Sequence, residues 1–424
     1  MVERKRYVVA GTGGRGTHMF AKPLLKEYTA YCELTGLYDV NPLRMKAANE
    51  LLGANVPMYT DFQEMLEKAR PDCVVIASRD CTHAELIVKT LAAGKRALSE
   101  KPLCTTARQC RDILAAKEKH ARKGGSCFVT HNCRYAPAIA ELKRLLKEGV
   151  IGELLSVVFQ ETLDRRHGAD YFRRWHRRQE NSGGLLLQKS SHHFDALNWL
   201  IGSPPDTVTA QGALQFYGKN GPFRHQRCAG CPHATKCDFY ADLWKDPLNK
   251  RMYKDAESAD GYIRDGCVFD QEIDIVDHAG VLLSYQNGVA VEYSLTAYAS
   301  YEGWLIQLEG TRGRLELKEV WNTNWSPGTI LIHGLEQAVG QSLILFSPKD
   351  GLRKLTIPEK AGGHGGADEA LQHDFFARPF DAPLTEQQAP VEQAVQAVLI
   401  GHAANLSISN GSRPVKVQEL LKKG

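Results

Sequence analysis

The sequence predicts two domains, an α/β amino-terminal domain with a doubly wound parallel sheet and an α+β carboxyl-terminal domain with a large, mostly antiparallel sheet. Through residues 1–130, short apolar runs alternate with helical patterns, as in a parallel sheet covered by helices on both faces. Residues 131–424 contain long strand-like runs in series, which favours antiparallel pairing. A length of 424 residues is also typical of two domains.

The composition is that of an ordinary globular protein, with 43% hydrophobic and 24% charged residues. The net charge of +4 is too small to indicate a nucleic-acid partner, and no apolar run approaches the about 18 residues of a membrane span. The chain starts with basic residues that lead directly into a strand, so we expect no secretory signal. Eleven scattered cysteines predict reduced thiols and a cytoplasmic location.

In the first domain, apolar runs and periodic segments alternate regularly. The run PDCVVIAS is continuously apolar, which is typical of a strand covered on both faces. Strands are expected at 6–11, 32–40, 71–78 and 96–103, and helices at 17–28, 41–53 and 82–95.

In the second domain, two helices precede a series of strands, and a last helix ends the pattern at Asn410-Gly411. The pair Asn287-Gly288 between two apolar runs predicts a hairpin. The helices are expected at roughly 137–148 and 183–202, and the strand runs at 206–218, 278–298, 303–320 and 342–348.

The segment GGLLLQKSSHHFDALNWL, residues 183–200, predicts a buried helix that nevertheless carries Lys189, His192 and His193. A buried charged lysine is costly unless it is paired. Polar groups on an apolar helix either satisfy one another or line a cavity. We expect this helix to line the active-site cavity.

A glycine fingerprint follows the first strand and precedes the first helix. Gly11, Gly13 and Gly16 have the G-x-G-x-x-G spacing that lets a backbone turn approach a pyrophosphate. Asp39, at the end of the second strand, suits the ribose hydroxyls and repels a 2′-phosphate. The pattern predicts a Rossmann domain that binds NAD, although Arg44 could still meet the phosphate of NADP.

The stretch SEKPL at 99–103 resembles a signature of the glucose–fructose oxidoreductase/inositol dehydrogenase (Gfo/Idh/MocA) family. ASRDCTHAE and HNCRYAP fall in the family's order, and the resemblance covers essentially the whole chain. It implies that Lys101 lies beside the nicotinamide and the substrate hydroxyl, often with a cis peptide before Pro102. The implied cofactor-binding residues are Gly11, Gly13, Gly14, Arg15, Gly16, Asp39, Ser78, His83, Glu100, Lys101 and Asn132.

The helix at 183–202 resembles a second family signature, which Gly183, Gly184, His192 and Asp195 match in register. The resemblance gives His192 an acid/base or substrate-orienting role. The family's aspartate one turn earlier is Gln188 here, and an amide cannot raise the basicity of a histidine as a carboxylate does. Lys189 is the expected substitute. His193 is expected to be a satisfied structural histidine.

The segment 161–178 is dense in charged and aromatic residues and resembles a substrate-facing insert of one family branch. For most of these residues we expect a solvated charged loop, with Tyr171 and His176 as the exceptions. Tyr171 and His176 interleave with Phe172 and Trp175, as in a sugar-binding surface. The predicted catalytic residues are Lys101, His192, Lys189 and Tyr171, and the predicted substrate-binding residues are Tyr171, Trp175, His176, Lys189 and His192.

A cysteine-rich insert at about 225–268 predicts a structural zinc site. The predicted ligands are Cys228, Cys231, Cys237 and Cys267. An iron–sulfur cluster, unligated thiols and a local disulfide are the alternatives. Asp277 with His278, and His364 with Asp368, are further pocket candidates that could equally be turn and cap residues.

Together these features predict an NAD-dependent oxidoreductase that transfers hydride between the cofactor and a hydroxyl of a sugar, polyol or glycoside. One alternative is a redox glycosidase that oxidises, eliminates, hydrates and re-reduces with a recycled cofactor. Another is a non-catalytic nucleotide sensor. The resemblance implies a homodimer or homotetramer, and we expect no nucleic-acid or membrane partner.

Overall fold

The computed structural model describes residues 4–323, 340–349, 351–358 and 362–422. The strands are β1 (Lys5–Ala10), β2 (Cys32–Tyr38), β3 (Met58–Tyr59), β4 (Cys73–Ile76), β5 (Arg96–Ser99), β6 (Ser126–Val129), β7 (Leu154–Asp164), β8 (Pro205–Ala213), β9 (His278–Tyr285), β10 (Ala290–Ala299), β11 (Tyr301–Gly310), β12 (Gly313–Thr323), β13 (Gly340–Ser347), β14 (Gly351–Leu355), β15 (Ala389–Pro390) and β16 (Val415–Lys416). The α-helices are α1 (Lys22–Lys26), α2 (Pro42–Leu52), α3 (Phe62–Ala69), α4 (His83–Ala92), α5 (Ala107–His120), α6 (Pro137–Lys147), α7 (Arg165–Arg173), α8 (Gln179–Ser182), α9 (Leu185–Gln188), α10 (Ser191–Ile201), α11 (Pro247–Asn249), α12 (Glu257–Asp260), α13 (Ala367–Gln372) and α14 (Val391–Ser409).

The first sheet has the strand order β15-β6-β5-β4-β1-β2-β3. β1 pairs in parallel with β2 and β4, and parallel pairing continues through β5 to β6. All four residues of β4 are buried because helices cover both faces of the sheet. The predicted doubly wound parallel sheet is confirmed.

The carboxyl-terminal part of the chain returns to this sheet, which the sequence did not indicate. The short strand β15 pairs antiparallel with the edge strand β6. Helix α13 and the turn after it bury Leu371, Phe375 and Phe376 against Tyr7 and Val9 of β1. The two domains therefore share one apolar cluster.

The second sheet has the strand order β14-β13-β12-β11-β7-β10-β9-β8-β16. Only the central pair β7 and β10 is parallel among the described pairings, so the prediction of a mostly antiparallel sheet is confirmed. The hairpin between β9 and β10 turns at Asn287-Gly288, where Gly288 has φ of 88° and donates its N–H to the Tyr285 carbonyl at 2.9 Å.

The single helix expected at 183–202 is wrong, because α9 and α10 are separated by Lys189 and Ser190. The Ser190 hydroxyl donates to the Leu185 carbonyl at 3.3 Å and accepts from the Tyr293 hydroxyl at 2.9 Å. A side chain that bonds to the backbone in this way competes with helical hydrogen bonds. Lys189 therefore lies at the junction of two helices.

A buried ion pair joins Arg134, which follows the first domain, to α10. The Arg134 guanidinium donates to both carboxylate oxygens of Asp195 at 2.7 Å, and also to the Gln393 side chain at 2.7 Å. Both charged side chains are at most 1% exposed. Because neither ion can be hydrated there, each depends on the other for its stability.

We expect Arg134→Met to lower the free energy of unfolding by about 3–5 kcal/mol, since it leaves the Asp195 carboxylate buried without its partner. Urea unfolding followed by circular dichroism measures this loss. The double variant R134M/D195L should recover part of it. Lys68→Met removes an exposed pair with Glu64 and should leave the midpoint near wild type. An R134M protein as stable as wild type would contradict this role.

Candidate active site

The glycine turn at the carboxyl end of β1 fits a dinucleotide. Gly11 has φ of +100°, and a Cβ there would lie 2.5 Å from the Ala77 carbonyl. A Cβ on Gly16 would lie 1.8 Å from the Gly11 carbonyl oxygen. The turn therefore requires glycine for close backbone packing, and it leads into the helical segment Gly16–Ala21, which continues as α1; a pyrophosphate is bound at the start of this helix in such folds.

Asp39 is buried at the end of β2 and is held in place from both sides. It accepts hydrogen bonds from the amide and hydroxyl of Thr12 at 2.8 and 2.9 Å. Its other oxygen lies 3.3 Å from a nitrogen of Arg44. The carboxylate is thus fixed beside the glycine turn, where a ribose is recognised in this fold.

Arg15 and Asn132 meet around one carboxylate. Arg15 donates to Glu100 at 2.8 Å and to Asp368 at 3.2 Å, and Asn132 donates to the other oxygen of Asp368 at 2.9 Å. His364 lies 2.8 Å from Asp368. Although burial opposes it, the hydrogen bond from His364 and the charge of Arg15 hold the pKa of Asp368 below its ordinary value.

Ser78 and His83 support the loop that carries Lys101. The two ring nitrogens of His83 lie 2.8 Å from the Pro102 carbonyl oxygen and 3.2 Å from that of Ser78. The Ser78 hydroxyl lies 2.7 Å from that of Thr82. The Lys101-Pro102 peptide is cis. In this arrangement His83 positions the loop, and its role as a cofactor contact stays a prediction.

Lys101 reaches from the first sheet to the junction of α9 and α10. Its ammonium donates to the Gln188 carbonyl at 2.9 Å. Burial lowers the pKa of Lys101 to about 8, even though the carboxylates of Asp80 and Glu100 act to raise it. Gln188 thus contributes its main-chain carbonyl to the cluster, while its side chain carries no charge.

Lys189 is paired with a buried glutamate of β7. Its ammonium lies 3.2 Å from Glu161, whose other oxygen lies 3.4 Å from the His193 ring. The His193 ring also lies 2.9 Å from the Tyr293 hydroxyl. Burial raises the pKa of Glu161 to about 7. Burial also acts to lower the pKa of Lys189, but Glu161, Tyr171 and Glu302 together raise it above its ordinary value. Lys189 is therefore a permanent cation in this site.

His192 lies among cations. Its ring is 6.4 Å from that of His131, in an edge-to-face arrangement. Burial, together with the charges of Lys101 and Lys189, holds the pKa of His192 well below its ordinary value. His192 is consequently a neutral imidazole that can accept a proton.

The predicted substrate-binding segment is structured as α7 and a following short turn. The Trp175 ring stacks on that of His176 at 3.7 Å, and Tyr171 meets His176 edge-on at 5.5 Å. The Tyr171 hydroxyl lies 3.4 Å from His167, which lies 2.7 Å from Glu302. His176 is buried, so a solvated loop is the wrong interpretation for this residue.

Three residues of this region were missed from the sequence. Glu161 had a signal, because it stands at a buried position of β7 between Phe159 and Leu163, where an apolar residue is expected. Asp80 lies just beyond β4 and is buried near Lys101; its position at the carboxyl end of a parallel strand was the signal. Tyr253 had none.

Tyr253 belongs to the insert at 225–268, which reaches back to the glycine turn. Its hydroxyl accepts the N–H of Gly14 at 2.9 Å. The side-chain amide of Asn41 donates to the Ala256 carbonyl at 2.9 Å. The insert therefore forms a wall of the cofactor region.

The predicted zinc site is not supported. The guanidinium of Arg173 donates to the Cys228 sulfur at 3.0 Å, so this sulfur faces a cation of the protein itself. Among the residues that the structure describes, no group of three or more His, Cys, Asp or Glu side chains is arranged to hold a metal ion. The insert contains a cavity that is lined by the four predicted ligands, which are free thiols: Cys228, Cys231, Cys237 and Cys267.

Asp277 is a turn residue. One of its oxygens accepts the main-chain N–H groups of Gln215, Phe216 and Tyr217 at 2.6–3.0 Å, and the other lies 2.9 Å from His278. Of the two pocket candidates left open, only the pair His364 and Asp368 lies beside the cofactor region.

A glycine turn after β1, a buried acid after β2 and a buried lysine after β5 are typical of an oxidoreductase with a nucleotide-binding Rossmann domain. One family model, described as an oxidoreductase family with an NAD-binding Rossmann fold, matches residues 5–130. A second, the C-terminal alpha/beta domain of the same family, matches residues 143–417. The chain belongs to the Gfo/Idh/MocA oxidoreductase family, as the sequence resemblance predicted.

Similar proteins agree with this assignment. The chain is 33% identical to the oxidoreductase YteT of Bacillus subtilis strain 168 over 436 residues, which cover 99% of each chain. It is 30% identical over 190 residues to scyllo-inositol 2-dehydrogenase (NAD+) of the same organism, covering 44% of this chain and 51% of that one. The solved complex of levoglucosan dehydrogenase with NADH and levoglucosan has the same fold, with a TM-score of 0.70 at 19% identity over 98% and 100% of the two chains.

No helix within the described part of the chain is long and apolar enough to cross a membrane.

We expect Lys189→Met to lower stability more at pH 8 than at pH 5. Without the ammonium, the pKa of Glu161 rises further above its ordinary value of 4.5. A carboxyl whose pKa is raised by folding contributes stability below its unfolded pKa, and this contribution is lost as the pH rises through the folded value. The gap, which is the difference in free energy of unfolding between wild type and K189M, should widen by about 1.4 kcal/mol for each unit by which Lys189 lowers the pKa of Glu161.

Urea unfolding at pH 5, 6, 7 and 8 measures this gap. Lys89→Met, which removes the partner of the exposed Glu85, is the matched control and should show a gap that does not depend on pH in this range. A constant gap for K189M would mean that Lys189 and Glu161 do not interact as the distances indicate.

Proposed function

We propose that this protein is an NAD-dependent dehydrogenase that oxidises a secondary hydroxyl of a sugar, polyol or glycoside. The observation that carries the proposal is the convergence of Lys101, Lys189 and His192 at the carboxyl edge of the parallel sheet, next to the glycine turn. Ligands bind at this edge in open α/β folds. Two cations and a neutral base suit a hydroxyl that must lose a proton while its carbon loses a hydride.

The substrate class is supported by the chemistry of the segment around α7 and by the relatives. Tyr171, Trp175 and His176 offer aromatic faces, while Lys189 offers a charged donor for hydroxyl groups. The named relatives include an inositol dehydrogenase and a levoglucosan dehydrogenase, which both act on polyhydroxylated rings.

Each residue has a distinct part in the proposed reaction. Bound NAD supplies the hydride acceptor. The Lys101 ammonium donates a hydrogen bond to the substrate oxygen and stabilises its developing negative charge. His192, kept neutral by its surroundings, accepts the hydroxyl proton, and Lys189 orients a neighbouring hydroxyl.

The preference for NAD over NADP rests on Asp39. Its carboxylate is fixed by Thr12 in the place where ribose hydroxyls are recognised, and a 2′-phosphate would meet a buried negative charge there. Arg44 is the one cation that the sequence left as a candidate for NADP, and it is already bound to Asp39.

The glycosidase alternative is not favoured, because oxidoreductase family models match both domains. The two reactions differ in the fate of the nucleotide. A dehydrogenase exchanges its cofactor with solution, whereas a redox glycosidase retains it. The test is to dialyse the native protein extensively, denature it and quantify the released nucleotide by mass spectrometry. We expect little nucleotide; a stoichiometric amount would favour the glycosidase.

We expect Lys101→Met to reduce turnover by about 10²–10⁴-fold, because the substrate oxygen loses its charged donor. NADH affinity, measured by fluorescence titration, should stay within a few-fold of wild type. The assay follows NADH formation at 340 nm with inositols and sugars as substrates.

Lys95→Met is the matched control for Lys101→Met. Lys95 precedes the amino end of the same strand, β5, whereas Lys101 follows its carboxyl end, where the proposed chemistry lies. It should retain wild-type turnover. Turnover that survives in K101M would refute the catalytic assignment, whereas loss of NADH binding in K101M would indicate a cofactor-binding role instead.

A cytoplasmic location and a homodimeric or homotetrameric assembly complete the proposal. The location is supported by the eleven cysteines, which all occur as free thiols. The assembly follows from the family resemblance alone, and sedimentation analysis would decide it.

A further inference from the structure

We propose that Asp260, on the cysteine-rich insert, is a second determinant of the preference for NAD over NADP, and that it acts by binding Arg44. This inference rests on the proposed function and deepens it. The residue lies more than 200 positions from the nucleotide fingerprint, and its role follows from contacts that the insert makes with the first domain.

Arg44 stands where a cation for NADP would be placed. It lies in the first turn of α2, just after Asp39 at the end of β2. In Rossmann domains an arginine near this position accommodates the 2′-phosphate of NADP. A free Arg44 guanidinium would therefore weaken the discrimination that Asp39 provides.

Arg44 is not free in this structure. One of its terminal nitrogens lies 3.3 Å from Asp39, and the other donates to Asp260 at 2.7 Å. The three side chains are each at most 10% exposed. Although burial opposes it, the hydrogen bond from Arg44 holds the pKa of Asp260 below its ordinary value, so the Asp260 carboxylate is ionised at neutral pH.

Two carboxylates around one guanidinium leave a net charge of −1 at this place. A 2′-phosphate that approached Arg44 would have to displace a carboxylate and would be repelled by the one that remained. Burial strengthens that repulsion, since little water screens it. Ribose hydroxyls carry no charge and are not affected in this way.

The insert holds Asp260 in position through independent contacts. Ala256 accepts a hydrogen bond from Asn41, which caps α2. Glu257 of the same short helix binds Arg227 through both carboxylate oxygens, at 2.6 and 3.0 Å. The Asp260 carboxylate is therefore carried to Arg44 by a short helix whose start is held both to the first domain and to the rest of the insert.

The test compares binding of NADH and NADPH, which needs no substrate. Wild type, Asp260→Asn and Asp260→Ser are titrated with each nucleotide, and binding is followed by nicotinamide fluorescence. We expect the ratio of the NADPH to the NADH dissociation constant to fall by about tenfold or more in both variants, because the freed Arg44 nitrogen can bind the 2′-phosphate. The NADH dissociation constant should change less than about threefold.

Asp255→Asn is the matched control. It makes the same change five positions earlier on the insert, at an exposed side chain, and should leave the ratio at the wild-type value. Circular dichroism confirms that each variant is folded.

A ratio in both Asp260 variants within twofold of wild type would overturn the inference. An equal loss of both affinities would also overturn it, since Asp260 would then only hold the insert. The proposed function fails separately: if wild type itself binds NADPH more tightly than NADH, the preference for NAD is wrong, while the change between wild type and D260N still decides the role of Asp260.

Discussion

Burial of two lysine ammonium groups at the meeting of the two sheets is the constraint on which the site depends. Lys101 comes from the loop after β5 and Lys189 from the break between α9 and α10. Water cannot stabilise either charge fully, so the fold supplies carboxylates nearby: Asp80 and Glu100 around Lys101, and Glu161 against Lys189. These carboxylates come from different domains, and the site therefore exists only when both domains are folded together.

The sequence allowed the local elements and the motifs to be predicted, because they depend on short-range patterns. Glycine spacing located the turn at Gly11, and alternation located the strands of both sheets. Prediction from the sequence failed where a single side chain interrupts a helix. The Ser190 hydroxyl, held by Tyr293 about a hundred residues away, breaks a segment that its apolar pattern marks as one helix. No local pattern contains the position of Tyr293.

The insert shows the same limit more clearly. Its cysteine spacing indicated a metal, yet Cys228 accepts a hydrogen bond from the Arg173 guanidinium, while Tyr253 and Asp260 of the same segment contact the first domain. Spacing within a segment constrains only contacts inside that segment. The contact with the glycine turn depends on how the second domain packs against the first, which no motif records.

Burial of the site determines which of its groups can exchange protons near neutral pH. Histidine ordinarily has that role. Here burial holds the pKa of His131 at about 4 and those of His176, His192 and His193 well below their ordinary values.

Of the charged groups placed around this site, Lys101 has a pKa of about 8 and Glu161 has a pKa of about 7. A protonated His192 is thus unstable in these surroundings. Two groups whose pKa values are shifted toward neutrality from opposite ordinary ranges are the arrangement that acid–base chemistry at pH 7 requires. Lys101 meets the main-chain carbonyl of Gln188 and Glu161 meets Lys189, so the uncharged Gln188 side chain is flanked by two buried pairs that come from different domains.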